Sequence, residues 1–209
     1  QVRGDVRDVD ALCAAFDGAE VVYHLAAIVS ITGDRGGLVD AVNVGGTTNV
    51  VEACRRQGVR RLVHFSSVHA LQQTPLDEVL DERRPAAAGP GVLAYDRAKA
   101  AGEAVVLAEA GNDFEVVVLN PTAIMGPLDF RGSPTGTLIA KLYQGRLPAL
   151  VDGGFDWVDV RDVVKGAMAA ERLGRSGERY VLSGAWASVG ELAALVHECG
   201  GARPPRFTS

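Results

Sequence analysis

Three short apolar runs, separated by long helical stretches, constrain this chain more than anything else in it. Ala19 to Leu25, Arg60 to Phe65 and Phe114 to Leu119 are dominated by valine, leucine and aromatic residues at successive positions. A strand apolar on both faces has to be covered on both faces, which is the situation of a parallel sheet between helices. Leu38 to Gln57 and Leu93 to Ala110 read as those helices, stopped by Gly58 and by Gly111-Asn112. A shorter helix is expected over Val9 to Phe16. Before it, Gln1-Val2-Arg3 reads as the end of a strand that leaves through Gly4-Asp5-Val6-Arg7-Asp8. Two glycines, Gly45 and Gly46, fall inside the first long helix, where each costs about 1 kcal/mol against alanine; close packing of helix on sheet would justify them. The alternation predicts an α/β fold with a doubly wound parallel sheet.

Beyond Gly126-Pro127 the segments shorten. Helices are expected over Thr135 to Gln144, Arg161 to Glu171 and Ser188 to Cys199, the last with Ser188 and Glu191 in capping-box positions. Short strands are expected at Ala149 to Val151, Asp156 to Val160 and Tyr180 to Leu182. A net charge of −5 without any basic tract excludes nucleic acid and acidic membranes as partners. Cys13, Cys54 and Cys199 are far apart and lack zinc-site spacing, and the histidines form no ligand cluster, so no metal is expected. The chain shows no signal peptide and no apolar run long enough to span a bilayer, which predicts a cytoplasmic protein.

Chemistry enters with Tyr95-Asp96-Arg97-Ala98-Lys99. Residues four apart on a helix share a face, so Tyr95 and Lys99 stand one turn apart. An ammonium near a phenol lowers its pKa from about 10 and makes it a proton donor and acceptor near neutral pH. A serine of the pair Ser66-Ser67, at the end of a neighbouring strand, could hold a substrate oxygen. Lysine is scarce here, three of the 21 basic residues, which sets Lys99 apart from routine surface charge. His24 and His64 read as core or sheet-edge residues; His69, two after Ser67, could line the substrate pocket. Asp159 and Asp162, flanking Arg161, read equally well as helix capping or substrate contact.

These segments, in order, resemble the extended short-chain dehydrogenase/reductase family, also called the NAD-dependent epimerase/dehydratase family. Within it the chain is most similar to bacterial dihydroflavonol-reductase-like proteins. The resemblance rests on Gly4 to Asp8, His24-Leu25-Ala26-Ala27, Asn43-Val44-x-Gly46-Thr47, Phe65-Ser66-Ser67, Tyr95-x-x-x-Lys99, Asn120-Pro121-Thr122 with Gly126-Pro127, and Trp157 to Asp162. It implies a Rossmann-like fold that binds NAD or NADP. Asp5 and Val6 would lie beside the adenine, and Leu25, Ala26 and Ala27 against the pyrophosphate and ribose. Asn43 and Phe65 would face the cofactor, and Asn120, Pro121 and Thr122 the nicotinamide. Ser67, Tyr95 and Lys99 would be the catalytic group. No glycine-rich G-x-x-G-x-x-G turn is present, so the chain is expected to be a fragment starting at the third strand of such a sheet, inactive by itself. Residues 1–125 would form a partial dinucleotide-binding domain. Residues 126–209 would supply part of a small substrate-binding lobe and return elements to the main sheet.

The activity implied is an NAD(P)-dependent oxidoreductase exchanging hydride with a carbonyl or secondary alcohol. Tyr95 would pass the proton, Lys99 would lower its pKa and hold the nicotinamide ribose, and Ser67 would orient the substrate oxygen. The alternatives are a nucleotide-sugar epimerase or dehydratase using the same core, or a dinucleotide-binding regulatory or structural protein without turnover. Partners would be a small carbonyl, alcohol or sugar substrate and, as a homodimer, a second copy of the chain.

Overall fold

A computed structural model describes residues 1–30, 33–111 and 113–206; Asn112, half of the expected Gly111-Asn112 stop, lies outside them. The chain divides into two compact units. The first comprises Gln1–Asn120 and Gly166–Val181, the second Pro121–Lys165 and Leu182–Ser209.

The first unit is built on strands β1 (Val21–His24), β2 (Arg61–Phe65), β3 (Glu115–Pro121) and β6 (Glu178–Leu182), in the spatial order β1-β2-β3-β6. β1, β2 and β3 run parallel, with Val22 opposite Leu62 and Leu62 opposite Val116. Leu62, Val63 and Val116 to Leu119 are completely shielded, as the two-faced apolar runs require. Arg61 is buried too. Its guanidinium donates to Glu115 and to the carbonyls of Ala170 and Glu171 near the end of helix α6 (Val160–Leu173), which satisfies the charge. Tyr23, on the open side of β1, donates its hydroxyl to Glu171.

Helix α1 (Val9–Phe16) starts on Asp8, whose carboxylate accepts from Ala11 N–H at 3.0 Å. Its Leu12 packs with Val50, Cys54 and Val106 over one side of the sheet. The first long helix is interrupted. α2 (Leu38–Asp40) runs through a π turn (Ala41–Gly45) into α3 (Gly46–Arg56). Its glycines answer a different contact from the one expected. A Cβ on Gly46 would sit 2.6 Å from Val6 Cγ2, in the segment before α1, and one on Gly45 would meet nothing. The tight spot is Gly102 on α4 (Ala94–Ala108), where a Cβ would lie 2.9 Å from the backbone oxygen of Asn43. Gly102→Ala is therefore expected to destabilise the protein by about 1–2 kcal/mol, overpacking outweighing the helix-propensity gain of about 1 kcal/mol. Urea titration measures it; a stabilised variant would refute the close approach.

One expectation is overturned at the amino terminus. Residues 1–5 form no strand, and the first strand of the sheet is Val21–His24. Gln1-Val2-Arg3 has a single apolar side chain, itself exposed, and no paired neighbour among the described residues.

The second unit has its own three-stranded sheet in the order β4 (Ala123–Met125), β5 (Gly154–Asp159), β7 (Ala185–Ser188), with β4 parallel and β7 antiparallel to β5. Leu142 of α5 (Pro134–Tyr143), Trp157 of β5, and Leu192 and Val196 of α7 (Val189–Glu198) form its core. Ser188 caps α7 through the expected reciprocal bonds with Glu191. Asp159 is spent locally on Arg161, whose guanidinium and backbone N–H hold the carboxyl down at about 2, and Asp162 is paired with Lys165. No helix among the described residues is long and apolar enough to cross a membrane.

Candidate active site

The carboxyl ends of β2 and β3 and the first turns of α4 meet in the first unit. β2 ends at Phe65, and its last carbonyl accepts from Lys99 Nζ at 2.9 Å. Ser66 still bonds to β3, its N–H donating to the Leu119 carbonyl at 2.8 Å. Ser67 is extended and caps a 3₁₀ turn (Val68–Ala70), its Oγ accepting from His69 N–H at 3.2 Å. The strand end thus turns Ser67, and not Ser66, toward the helix that carries Tyr95. Ser66 Oγ is buried and has no hydrogen-bond partner among the described residues.

Tyr95 and Lys99 both leave α4, but burial treats them differently from the expectation. The phenol is pushed above its ordinary value by burial; the nearby Ser67 hydroxyl acts in the opposite direction, and Asp96 adds to the rise. Lys99 contributes nothing to that balance, because its ammonium is turned onto the Phe65 carbonyl. Lys99 is 7% exposed, and burial lowers it to about 8 even though Glu103 favours its charge. Burial thus favours the protonated, donor form of Tyr95 in this structure.

Beneath these groups lies a buried polar chain of which the sequence pointed to Asn120 but not to Glu103 or Arg179. Asn120, fully shielded at the end of β3, donates through Nδ2 to the Ser67 carbonyl at 2.9 Å and to Glu103 Oε2 at 2.8 Å. Arg179 of β6 completes it, its Nε 3.1 Å from Glu103 Oε1. Glu103 sits four residues after Lys99 on the same helix face, so the spacing that singles out Lys99 points to it as well. Asn120 ties the Ser67 backbone in place and leaves its Oδ1 without a partner among the described residues.

The other expected cofactor residues divide. β1 pairs in register with β2, so Leu25, Ala26 and Ala27 follow it at the same end of the sheet as Phe65, and Leu25 and Ala26 are exposed. Asn43 is buried, and its side-chain amide is used up on Ile28, accepting from the N–H at 2.7 Å and donating to the carbonyl at 2.9 Å. It therefore holds the segment leaving β1. Val6 packs against Gly46, and its carbonyl accepts from Asn49 at 3.0 Å. Asp5 is exposed and paired with Arg7, which holds its carboxyl at about 2. Pro121 and Thr122 belong to the second unit, where the Thr122 N–H donates to the Leu182 carbonyl at 3.1 Å.

His24 and His64 lie on adjacent strands with ring centroids 5.2 Å apart. His24 bonds to Thr47 Oγ1 at 3.0 Å, and burial, with help from Lys99, lowers it to about 4; His64 is driven well below its ordinary value for the same first reason. Both are neutral core residues. No three His, Cys, Asp or Glu side chains among the described residues are placed to share a metal ion.

The family model described as "NAD dependent epimerase/dehydratase family" matches residues 1–183. Sterol demethylase protein B of Methylococcus capsulatus is 41% identical over 205 residues, which is 98% of this chain and 62% of that protein. The crystal structure of gox2253 superimposes with a TM-score of 0.87 at 30% identity, over 98% of this chain and 63% of that one. WbmG of Bordetella bronchiseptica, solved in complex with NAD and UDP, superimposes with a TM-score of 0.81 at 26% identity, over 100% of this chain and 67% of that one. The chain thus spans about three fifths of the length of the first two. The superposition on gox2253 extends a doubly wound Rossmann-like fold across nearly all of the chain. It replaces the expectation of a fragment starting at a third strand, and the inactivity inferred from that expectation loses its basis.

Proposed function

The chain belongs to the NAD-dependent epimerase/dehydratase family, and from that membership we propose that it exchanges hydride between a nicotinamide dinucleotide and a carbinol or carbonyl carbon. The observation that carries the reading is the buried ammonium of Lys99, fastened to the last carbonyl of β2 beside Ser67 and one helical turn from Tyr95. One N–H of Lys99 is committed to Phe65, which leaves two for the hydroxyls of a ribose. The small, open Ala26 beyond β1 leaves room for a dinucleotide against the strand end. The residues present fit the nicotinamide-ribose end of the cofactor. When bound, the nicotinamide supplies the hydride acceptor or donor.

In this reading Tyr95 gives its proton to the substrate oxygen during reduction and takes it back during oxidation. Burial favours the protonated phenol, the form from which reduction starts; oxidation starts once that proton has left. Ser67 orients the same oxygen, and Asn120, anchored by Glu103, fixes the backbone that carries Ser67. Lys99 holds the ribose.

The family's name and the solved neighbours favour a nucleotide sugar as substrate and an epimerase or dehydratase as the net reaction, above the simple reductase to which the sequence tilts. WbmG holds NAD with UDP, and MoeE5, 26% identical, was solved with UDP-glucose and NAD. The dihydroflavonol-reductase-like motifs, and a 33% identity over 187 residues to a 3beta-hydroxysteroid-dehydrogenase/decarboxylase of Arabidopsis thaliana, support net oxidation or reduction as the second reading. Incubation with NAD⁺ and UDP-glucose, followed by nucleotide-sugar analysis, tests the first; a panel of 3-hydroxysteroids with NAD⁺ tests the second. Conversion of neither, with no transient nicotinamide reduction, would refute the hydride-transfer reading.

A further inference from the structure

Beside Tyr95 stands an imidazole–carboxylate pair that the chemistry above leaves idle. His69 leaves the 3₁₀ turn two residues after Ser67, and its own N–H donates to Ser67 Oγ. Its ring meets that of Tyr95 edge-on, with centroids 6.1 Å apart. Its Nδ1 lies 3.4 Å from Asp96 Oδ1, in ion-pair range and about 0.5 Å beyond a tight N–H···O bond. Looser contacts of this kind are common in unliganded sites. Asp96 is 8% exposed, and its buried Oδ1 has no hydrogen bond among the described residues, so the His69 ring is the polar group that stands beside it. The carboxyl is raised by burial and drawn back by His69, so the imidazole is its counterpart.

The two ring nitrogens therefore differ. A neutral imidazole carries one N–H, and a carboxylate beside Nδ1 selects the tautomer with the proton there. The lone pair is then on Nε2, which has no hydrogen bond among the described residues, on a side chain 47% exposed. A base oriented by a buried carboxylate, in contact with the proton donor and the oxygen-holding serine, is a catalytic arrangement. A one-carbon hydride exchange has no use for it, since Tyr95 already serves that oxygen.

We propose that His69 and Asp96 form a second acid–base pair of this site, in which His69 Nε2 removes and returns the proton on the carbon adjacent to the one that Tyr95 and Ser67 address. This rests on the hydride-transfer reading. Oxidation of the carbinol to a ketone acidifies the neighbouring C–H. Nε2 takes that proton, and the C–H electron pair becomes the new carbon–carbon π bond. The carbonyl π pair moves onto oxygen, where Tyr95 and Ser67 receive it. Return of the proton restores the ketone. Where a hydroxyl stands one carbon further on, the enolate expels it, and the imidazolium proton leaves with it as water. Both outcomes balance without any reactant beyond the nicotinamide and substrate. Asp96 touches no reacting atom; it is the positioning residue that sets the tautomer.

The test has two readouts. Long-range ¹H–¹⁵N spectra of the whole protein at pH 8, with His69→Gln for assignment, are expected to show the proton of His69 on Nδ1. Asp96→Asn is expected to remove that preference. A wild-type His69 protonated on Nε2 would overturn the pairing. The second readout uses NAD⁺ in D₂O with UDP-glucose and the 3-hydroxysteroids as probes. The ratio of deuterium uptake at the adjacent carbon to nicotinamide reduction is expected to fall about 10²–10⁴-fold in His69→Gln. In Tyr95→Phe both quantities fall together. An unchanged ratio in His69→Gln would overturn this proposal alone. Absence of nicotinamide reduction by the wild-type protein would overturn the hydride-transfer reading, and this proposal with it.

Discussion

Tyr95→Phe is expected to lower turnover by about 10²–10⁴-fold while leaving cofactor affinity unchanged. The substitution removes one oxygen and keeps the ring, so the edge contact with His69 and the packing on α4 persist. What disappears is the group that, in the proposed chemistry, carries the proton to and from the substrate oxygen. Burial raises the phenol in the folded protein, which keeps a proton available on Tyr95 for the proposed chemistry. Single-turnover hydride transfer and equilibrium cofactor binding, measured on both proteins, separate the two quantities. Equal turnover would remove Tyr95 from the mechanism, and a parallel loss of cofactor affinity would make its role one of binding.

Lys99→Met is expected to damage both. Two charge-assisted hydrogen bonds to a ribose, each of about 1.5–3 kcal/mol, correspond to at least a tenfold loss of cofactor affinity, with turnover falling further. Unchanged affinity would reject the ribose-holding role. The same variant has a signature in stability that needs no cofactor. Lys99 titrates at about 8 in the folded protein against 10.5 in its ordinary state, chiefly because burial disfavours the charge. Between those values the unfolded chain binds more protons than the folded one, so folding becomes more favourable as pH rises. Below about 8 the cost of the buried charge is constant and full. The wild-type protein should therefore gain stability relative to Lys99→Met between pH 7 and pH 10, by on the order of 3 kcal/mol at most. Urea midpoints of the two proteins at those pH values measure it. A flat difference would mean that the ammonium is solvated.

Elements with strong local signals are legible in the chain without any tertiary contact. Val116 to Leu119 is apolar at every position, and so short, valine-rich a run suits a strand covered on both faces, where all four are hidden. The boundaries of α1 and α7 follow from Asp8 and from Ser188 with Glu191, since caps act within one turn. Tyr95 and Lys99 share a helix face for the same local reason. The small sheet of the second unit escaped notice because β4 and β7 are three and four residues long and partly exposed, which is too little for a period to register. Gln1-Val2-Arg3 misled in the opposite sense. A strand exists only when paired, and pairing is a property of the neighbour.

Tertiary structure alone decided the electrostatics of the site. Charge and titration depend on burial, and burial depends on residues distant in sequence. Phe65 receives the Lys99 ammonium across 34 positions, Asn120 reaches back 53 to Ser67, and Arg179 answers Glu103 from a different strand. Lys99 beside Tyr95 in a helix suggests a lowered phenol. The folded protein turns the ammonium onto a carbonyl, shields the phenol and raises it instead, because desolvation outweighs a charge that faces elsewhere.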